Sequence, residues 1–230
     1  MEGSAVNNPK ALVIFDCDGV LVDSETLANQ VLVKHVKQLG INISEDEGRQ
    51  RYRGLSMPSI LEEISQQINK PLPEFFLENL QQETFRSFKK SLQAIPRVES
   101  VIHWCLQKNY KICVASSGSY EKLGLTLSIT RLKSYFVSNI YSASEVTSGK
   151  PSPDLFLFAA SQMGFSSEQC IVIEDSLPGV VAGISAGMTV FAFCKDQDEQ
   201  YLSKICLLGA TPFHSMNDLP ALIDASSSAN

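Results

Sequence analysis

Asp16 and Asp18 stand one residue apart at the end of the apolar run Ala11-Leu12-Val13-Ile14-Phe15, and Gly19 follows them. The run reads as a buried strand. A carboxylate buried without a partner is costly enough that it takes up a proton or finds a counter-charge. Two acids at the carboxyl end of a strand therefore point to a cation and to metal-assisted chemistry. The same pattern recurs at Ile171-Val172-Ile173-Glu174-Asp175-Ser176, an apolar run ending in two acids before a helix. A helix dipole and cap explain one such pair. Two pairs at strand ends of one sheet suit a hard cation with oxygen ligands, Mg²⁺ above all, which uses a few carboxylates, water and substrate phosphate.

Two further segments offer cationic and hydrogen-bonding groups. Lys111 to Ala115 reads as a strand giving way to Ser116-Ser117-Gly118-Ser119. Hydroxyls and free N–H groups at a helix start cradle a phosphate, and serine there also serves as a plain N-cap. Lys150 heads the rigid loop Lys150-Pro151-Ser152-Pro153. It is either a solvated loop charge or, held at a strand-end crevice, a group that neutralises a phosphoryl oxygen or a carboxylate.

These groups meet only if their strands lie side by side. Strand-like runs at Ala11–Phe15, Lys111–Ala115, Ser138–Ser142, Cys170–Ile173 and Thr189–Phe193 alternate with helical patterns near Val98–Lys108, Pro153–Met163 and Gly179–Ala186. That alternation predicts an α/β fold, a Rossmann-like parallel sheet with helices on both faces. Ligands in such sheets bind beyond the carboxyl ends of the strands. From about Glu25 to Leu92 there is no convincing strand, and apolar residues recur at helical spacing at Leu27, Val31, Leu32, Val36 and Leu39, then Ile60, Ile64 and Ile68, then Phe76, Leu80 and Phe88. The chain divides accordingly into a core, residues 10–24 and 93–225, and an all-helical insertion, residues 25–92, placed to cover the Asp16 end. Phe75, Phe76, Phe85, Phe88 and Trp104 read as packing. The polar ends, Met1 to Asn8 and Ser226 to Asn230, read as frayed tails.

A net charge of −6 argues against a general nucleic-acid binder. No apolar run approaches the length of a membrane span, and the amino terminus carries no secretory pattern. Six cysteines without a CxxC pair suit buried free thiols in a reducing cytoplasm. A monomer is the default expectation.

The series Asp16-Cys17-Asp18-Gly19-Val20, Ser116, Lys150-Pro151 and Glu174-Asp175 resembles the four motifs of the haloacid dehalogenase-like hydrolase superfamily. They occur in order, over about Lys10 to Leu222. The insertion resembles that superfamily's small helical cap. Leu21-Val22-Asp23-Ser24-Glu25 and Val190-Phe191-Ala192-Phe193-Cys194-Lys195-Asp196 are similar to segments of its sugar-phosphate phosphatases, the 6-phosphogluconate phosphatase type among them. The resemblance implies a Mg²⁺-dependent phosphatase acting on a small phosphorylated metabolite through an aspartyl-phosphate. Asp16 would be the nucleophile, and Asp18 the acid that protonates the leaving alcohol and then the base that activates water. Ser116, Ser117 and Lys150 would bind the phosphoryl group. Asp16, Asp175 and the backbone carbonyl of Asp18 would hold the cation, with Glu174 a ligand or a support behind one.

Asp18 itself argues against dehalogenation, since halide departure needs no acid. β-Phosphoglucomutases, the alternative reading, carry a histidine and an arginine where this chain has Ala28 and Met57. A catalytically idle binding module is a third reading, opposed by the intact motifs. Arg53 is either a substrate contact from the insertion or a solvated helix-end charge. Arg97 replaces the glycine common where the insertion returns, and either stiffens that linker or adds positive charge near the cleft. Asp23-Ser24 and Ala94-Ile95-Pro96 would be hinges. Cys17 is a spacer with a possible redox role.

Overall fold

A computed structural model describes residues 9–52, 57–195 and 199–227. In chain order the elements are β1 (Leu12–Phe15), α1 (Ser24–Gln38), α2 (Glu45–Tyr52), α3 (Met57–Ile68), α4 (Phe76–Ser91) and α5 (Val98–Gln107). Then follow β2 (Lys111–Ser116), α6 (Tyr120–Ile129), α7 (Lys133–Phe136), β3 (Ile140–Ser142), α8 (Asp154–Met163) and β4 (Cys170–Glu174). The chain closes with α9 (Leu177–Ser185), β5 (Thr189–Phe193), α10 (Glu199–Leu207), β6 (Thr211–Phe213) and α11 (Leu219–Ser227).

The six strands form one parallel sheet in the order β3-β2-β1-β4-β5-β6. Alternation along each strand explains the continuous apolar runs, because both faces are covered. Val13, Phe15, Ile112, Val114, Ile171, Ile173, Phe191 and Phe193 enter one core layer. Leu12, Ile14, Cys113, Ala115, Cys170, Val172, Val190 and Ala192 enter the other. β6 was not expected. Its three residues include Pro212, and a proline fits only an edge strand, where β6 lies.

Helices α1 to α4 all lie between β1 and β2 and pack around a third apolar cluster that includes Val31, Val36, Ile60, Ile64 and Leu80. The chain leaving β1 and the chain returning from α4 run side by side. Val22 bridges to Ala94, Asp23 donates to the Gln93 carbonyl at 3.0 Å, and Ile95 donates to Leu21 at 3.0 Å. Both linkers thus sit next to the Asp16–Asp18 turn.

Several local expectations need correction. Phe75 is 61% exposed with φ of +62°, so it does not pack in the core. Phe76 and Phe88 are buried, and Trp104 stacks on Tyr110. Helix α11 extends through Ser227, so the carboxyl-terminal segment from Ser226 is not wholly a tail. Residues 1–8 lie outside the described residues. Cys17, Cys105, Cys113, Cys170 and Cys194 are buried free thiols, while Cys206 is exposed. Among the described residues no helix is long and apolar enough to cross a membrane.

Candidate active site

Strand register aligns the candidate residues. Phe15 lies opposite Val114 on one side and Ile173 on the other. One step further, Asp16, just past the end of β1, lies level with Ala115 and Glu174, which still pair with Tyr141 and Ala192 near the ends of their own strands. The Asp16 N–H donates to the Ile173 carbonyl at 2.9 Å, which holds Asp16 at the level of Glu174. Connections from β1 and its two neighbours run to opposite sides here, the switch point at which such sheets form a crevice.

Lys150 joins the two acid pairs. Its Nζ donates to Asp16 Oδ1 at 2.6 Å, to Glu174 Oε1 at 2.7 Å and to the Ala115 carbonyl at 3.2 Å. It also lies 4.8 Å from the Phe156 ring centroid. Its side chain is only 5% exposed, so it is not a solvated loop charge. Burial alone would pull the ammonium down, but Asp16 and Glu174 hold it above the usual lysine range. Burial pushes the Asp16 carboxyl up to about 7. Lys150 opposes that rise, while Glu174 and Asp18 add to it.

Asp18, two residues on, takes different partners. Lys122 donates to its Oδ2 at 2.7 Å, and the Ser24 hydroxyl donates to its Oδ1. Lys122 stands in the first turn of α6 and Ser24 is the first residue of α1. Lys122 was not singled out from the sequence, and Ser24 was read only as part of a hinge. A signal was there: a cation in the first turn opposes the helix dipole, so it suggests an acid partner.

Glu174 and Asp175 differ in availability. Glu174 Oε2 accepts from the N–H of Asp175 at 2.8 Å, the N–H of Ser176 at 2.7 Å and the Ser176 hydroxyl at 2.9 Å. With Lys150 on Oε1, the protein itself occupies both oxygens. The half-buried Asp175 carboxylate receives no donor from the described residues. Burial pushes its pKa well up, and Glu174, Glu25 and Asp16 push in the same direction. It lies against the backbone of Gly19, where any Cβ would overlap it. Gly19 has φ of +78°, which also favours glycine.

A hard cation suits this donor set. Asp16 and Asp175 present carboxylates at adjacent strand ends, both raised chiefly by burial, and Asp175 takes no donor from the described residues. Among the described residues no three His, Cys, Asp or Glu side chains form a ready metal cluster. Mg²⁺ needs no such cage, because it binds through one or two carboxylates, waters and substrate phosphate.

Ser116 lies at the end of β2 and is 1% exposed. Its hydroxyl accepts from the Gly118 N–H at 3.2 Å. The cap of α6 is Ser119, which accepts from the Lys122 N–H. Ser116 therefore sits at the strand end without being the helix cap. Ser117 is exposed on the same turn. Arg53 lies outside the described residues. Arg97 is exposed, with φ of +70°, at the start of α5.

The sequence matches the model of the family described as "Haloacid dehalogenase-like hydrolase" over residues 13–193. It is 30% identical over 211 residues to 6-phosphogluconate phosphatase of Escherichia coli K12, covering 91% of this chain and 93% of that protein. The fold matches a haloacid dehalogenase-like protein of unknown function from Agrobacterium tumefaciens with a TM-score of 0.82 and 32% identity, covering 96% of this chain and 99% of the other. A hydrolase from Deinococcus radiodurans, solved with bound phosphate and sodium, aligns with a TM-score of 0.80 and 29% identity, covering 96% and 97%.

Proposed function

The chain belongs to the haloacid dehalogenase-like hydrolase family, and we propose that it is a Mg²⁺-dependent phosphatase for a small phosphorylated metabolite, a sugar phosphate or phosphogluconate. The observation that carries this reading is Lys150 bridging Asp16 and Glu174 beside the Asp175 carboxylate, which takes no donor from the described residues. A cationic group already set against the proposed nucleophile can exchange that contact for a phosphoryl oxygen. The phosphatase relative spans nearly the whole chain, and the phosphate-bound neighbour shares the fold.

Asp16 is the nucleophile. Its carboxylate oxygen bonds to phosphorus as the bond from phosphorus to the leaving oxygen breaks. Asp18 gives that oxygen a proton, so the alcohol departs neutral. In the second half, Asp18 takes a proton from water whose oxygen attacks phosphorus. The bond to Asp16 breaks, restoring the carboxylate and releasing inorganic phosphate. Lys150, Ser116, Ser117 and the turn N–H groups hold the phosphoryl oxygens. Mg²⁺, when bound, offsets the repulsion between anionic phosphate and nucleophile. Asp16, Asp175 and the Asp18 carbonyl are its proposed ligands. Glu174 supports from behind, because Lys150 and the 175–176 turn already occupy its oxygens.

In this reading residues 25–92 form a cap over the core, residues 10–24 and 93–225, and Arg53 is a candidate substrate contact. The protein acts in the cytoplasm as a monomer, without nucleic acid or membrane. Ala28 and Met57 offer neither the histidine nor the arginine of a phosphoglucomutase, which favours hydrolysis over transfer. Purified protein with Mg²⁺ should release phosphate from 6-phosphogluconate and from 4-nitrophenyl phosphate, and Asp16→Asn should abolish both. Full activity in that variant would sink the assignment.

A further inference from the structure

Lys122 is the strongest polar feature that the four motifs do not use. It stands three residues after the Ser119 cap, where the unpaired N–H groups of a helix end make a cation unwelcome. Its side chain is 29% exposed, and Asp18 is its ion-pair partner at 2.7 Å. A second contact fixes the same register. Thr126, one turn further along α6, lies with its hydroxyl 3.8 Å from the Cys17 thiol. The Thr126 hydroxyl also donates back to the Lys122 carbonyl at 2.9 Å. Residues 17 and 18 are therefore gripped by two consecutive turns of one helix.

The two donors on Asp18 come from different parts of the molecule. Ser24 opens α1, the first helix of the insertion, while Lys122 belongs to a helix packed beside the sheet. Ser24 stands at the hinge where the insertion begins, whereas Lys122 reaches Asp18 from within the core. Asp16 and Glu174 are meanwhile held by Lys150. Separate lysines thus keep the two acids of the first motif apart.

We propose that Lys122 is a positioning residue that holds the Asp18 carboxylate on the leaving-group side of the crevice, away from the Asp16–Lys150–Glu174 cluster. This rests on the phosphatase reading. Lys122 does not touch phosphorus. It keeps the proton-transferring oxygen of Asp18 where the leaving oxygen, and later the attacking water, must be.

The test compares wild type, Lys122→Met and Lys122→Arg on 4-nitrophenyl phosphate and phenyl phosphate. Nitrophenolate leaves without much help, whereas phenolate needs a proton more. Lys122→Met should lower kcat on phenyl phosphate about 100-fold, the scale of a displaced general acid, with KM little changed. On 4-nitrophenyl phosphate it should keep a rapid first turnover and slow only afterwards, because water activation also depends on Asp18. Lys122→Arg should restore part of the loss. Equal losses in the first-turnover rate on both substrates, a rise in KM with kcat retained, or wild-type rates would overturn the proposal. If Lys122→Met melts early, Lys122→Gln is read by the same criteria. An active Asp16→Asn would overturn the phosphatase reading. An inactive Asp16→Asn beside an unimpaired Lys122 variant would overturn only the role of Lys122.

Discussion

The carboxylate of Glu174 occupies the space in which a Cβ on Gly179 would lie. Glu174 is 1% exposed, and the start of α9 wraps around it. Ser176 caps that helix through the Gly179 N–H at 3.2 Å and donates its hydroxyl to Glu174. The carboxylate cannot swing away, because the 175–176 backbone and Lys150 hold it.

Two effects therefore oppose each other in Gly179→Ala. Alanine gains about 1 kcal/mol of helix propensity over glycine. Forcing a methyl into a filled, anchored site costs about 1–3 kcal/mol, occasionally more. The overlap here is with an anchored carboxylate, so the cost should win. The variant should unfold at lower denaturant and hydrolyse 4-nitrophenyl phosphate more slowly, since displaced Glu174 frees Lys150. An unfolding midpoint at or above wild type would show that the first turn of α9 can yield.

Lys150→Met should be among the most damaging single changes. It leaves Asp16 and Glu174 buried without their shared cation. Breaking a buried pair by removing one partner costs roughly 3–5 kcal/mol. Chemical denaturation at neutral pH without Mg²⁺ reads this directly. Phosphate release should fall with it, and an unchanged midpoint would mean that the two acids find other partners.

The meeting of the candidate residues at one sheet edge was legible in the sequence because apolar runs end in charged or hydroxyl residues, and a parallel sheet sends such ends to one edge. Less regular elements left weaker marks. The α2 segment Glu45–Tyr52 has almost no apolar residues, so no periodicity announced it. Pro212 hid β6. The availability of Glu174 and Asp175 was also hidden. They are neighbours of the same type, and only the turn at Ser176 shows that one is consumed by protein donors while the other is left open. Lys122 needed the orientation of α6 to bring it to a residue 104 positions away.

Without divalent cation, stability should depend on pH through Asp16 and Asp175. Burial raises Asp16 from 3.8 to about 7, and Asp175 is raised in the same direction. Between about pH 4 and about pH 7 the folded protein retains a proton that the unfolded chain has released. This contribution to stability is fully present below the unfolded pKa and is lost as pH rises through the folded one. The melting temperature in chelator should therefore fall across that window, and Asp16→Asn should flatten the decline. Adding Mg²⁺ near pH 7 should raise it again, because binding to the folded state alone stabilises that state. A melting temperature in chelator that climbs over the same window would contradict the sign.

Arg97 separates the two readings left open at the return linker. It has φ of +70°, makes no side-chain cap to α5 and is exposed. A non-glycine residue in this conformation costs about 1–2 kcal/mol. Glycine removes that cost but adds roughly 0.5–1 kcal/mol of unfolded-state entropy to be lost on folding. The balance favours Arg97→Gly by about 0.5–1 kcal/mol, a rise in melting temperature of roughly 1–4 °C for a chain of this size. No packing is lost to offset the gain, since the side chain lies on the surface. If Arg97 is only a strained linker residue, the variant is more stable and keeps its kcat and KM on 4-nitrophenyl phosphate. If its charge draws anionic substrate to the crevice, KM rises, and rises less in high salt, where screening already weakens that attraction. Measuring stability and KM on the same preparation therefore decides between backbone geometry and charge as the reason for arginine at this position.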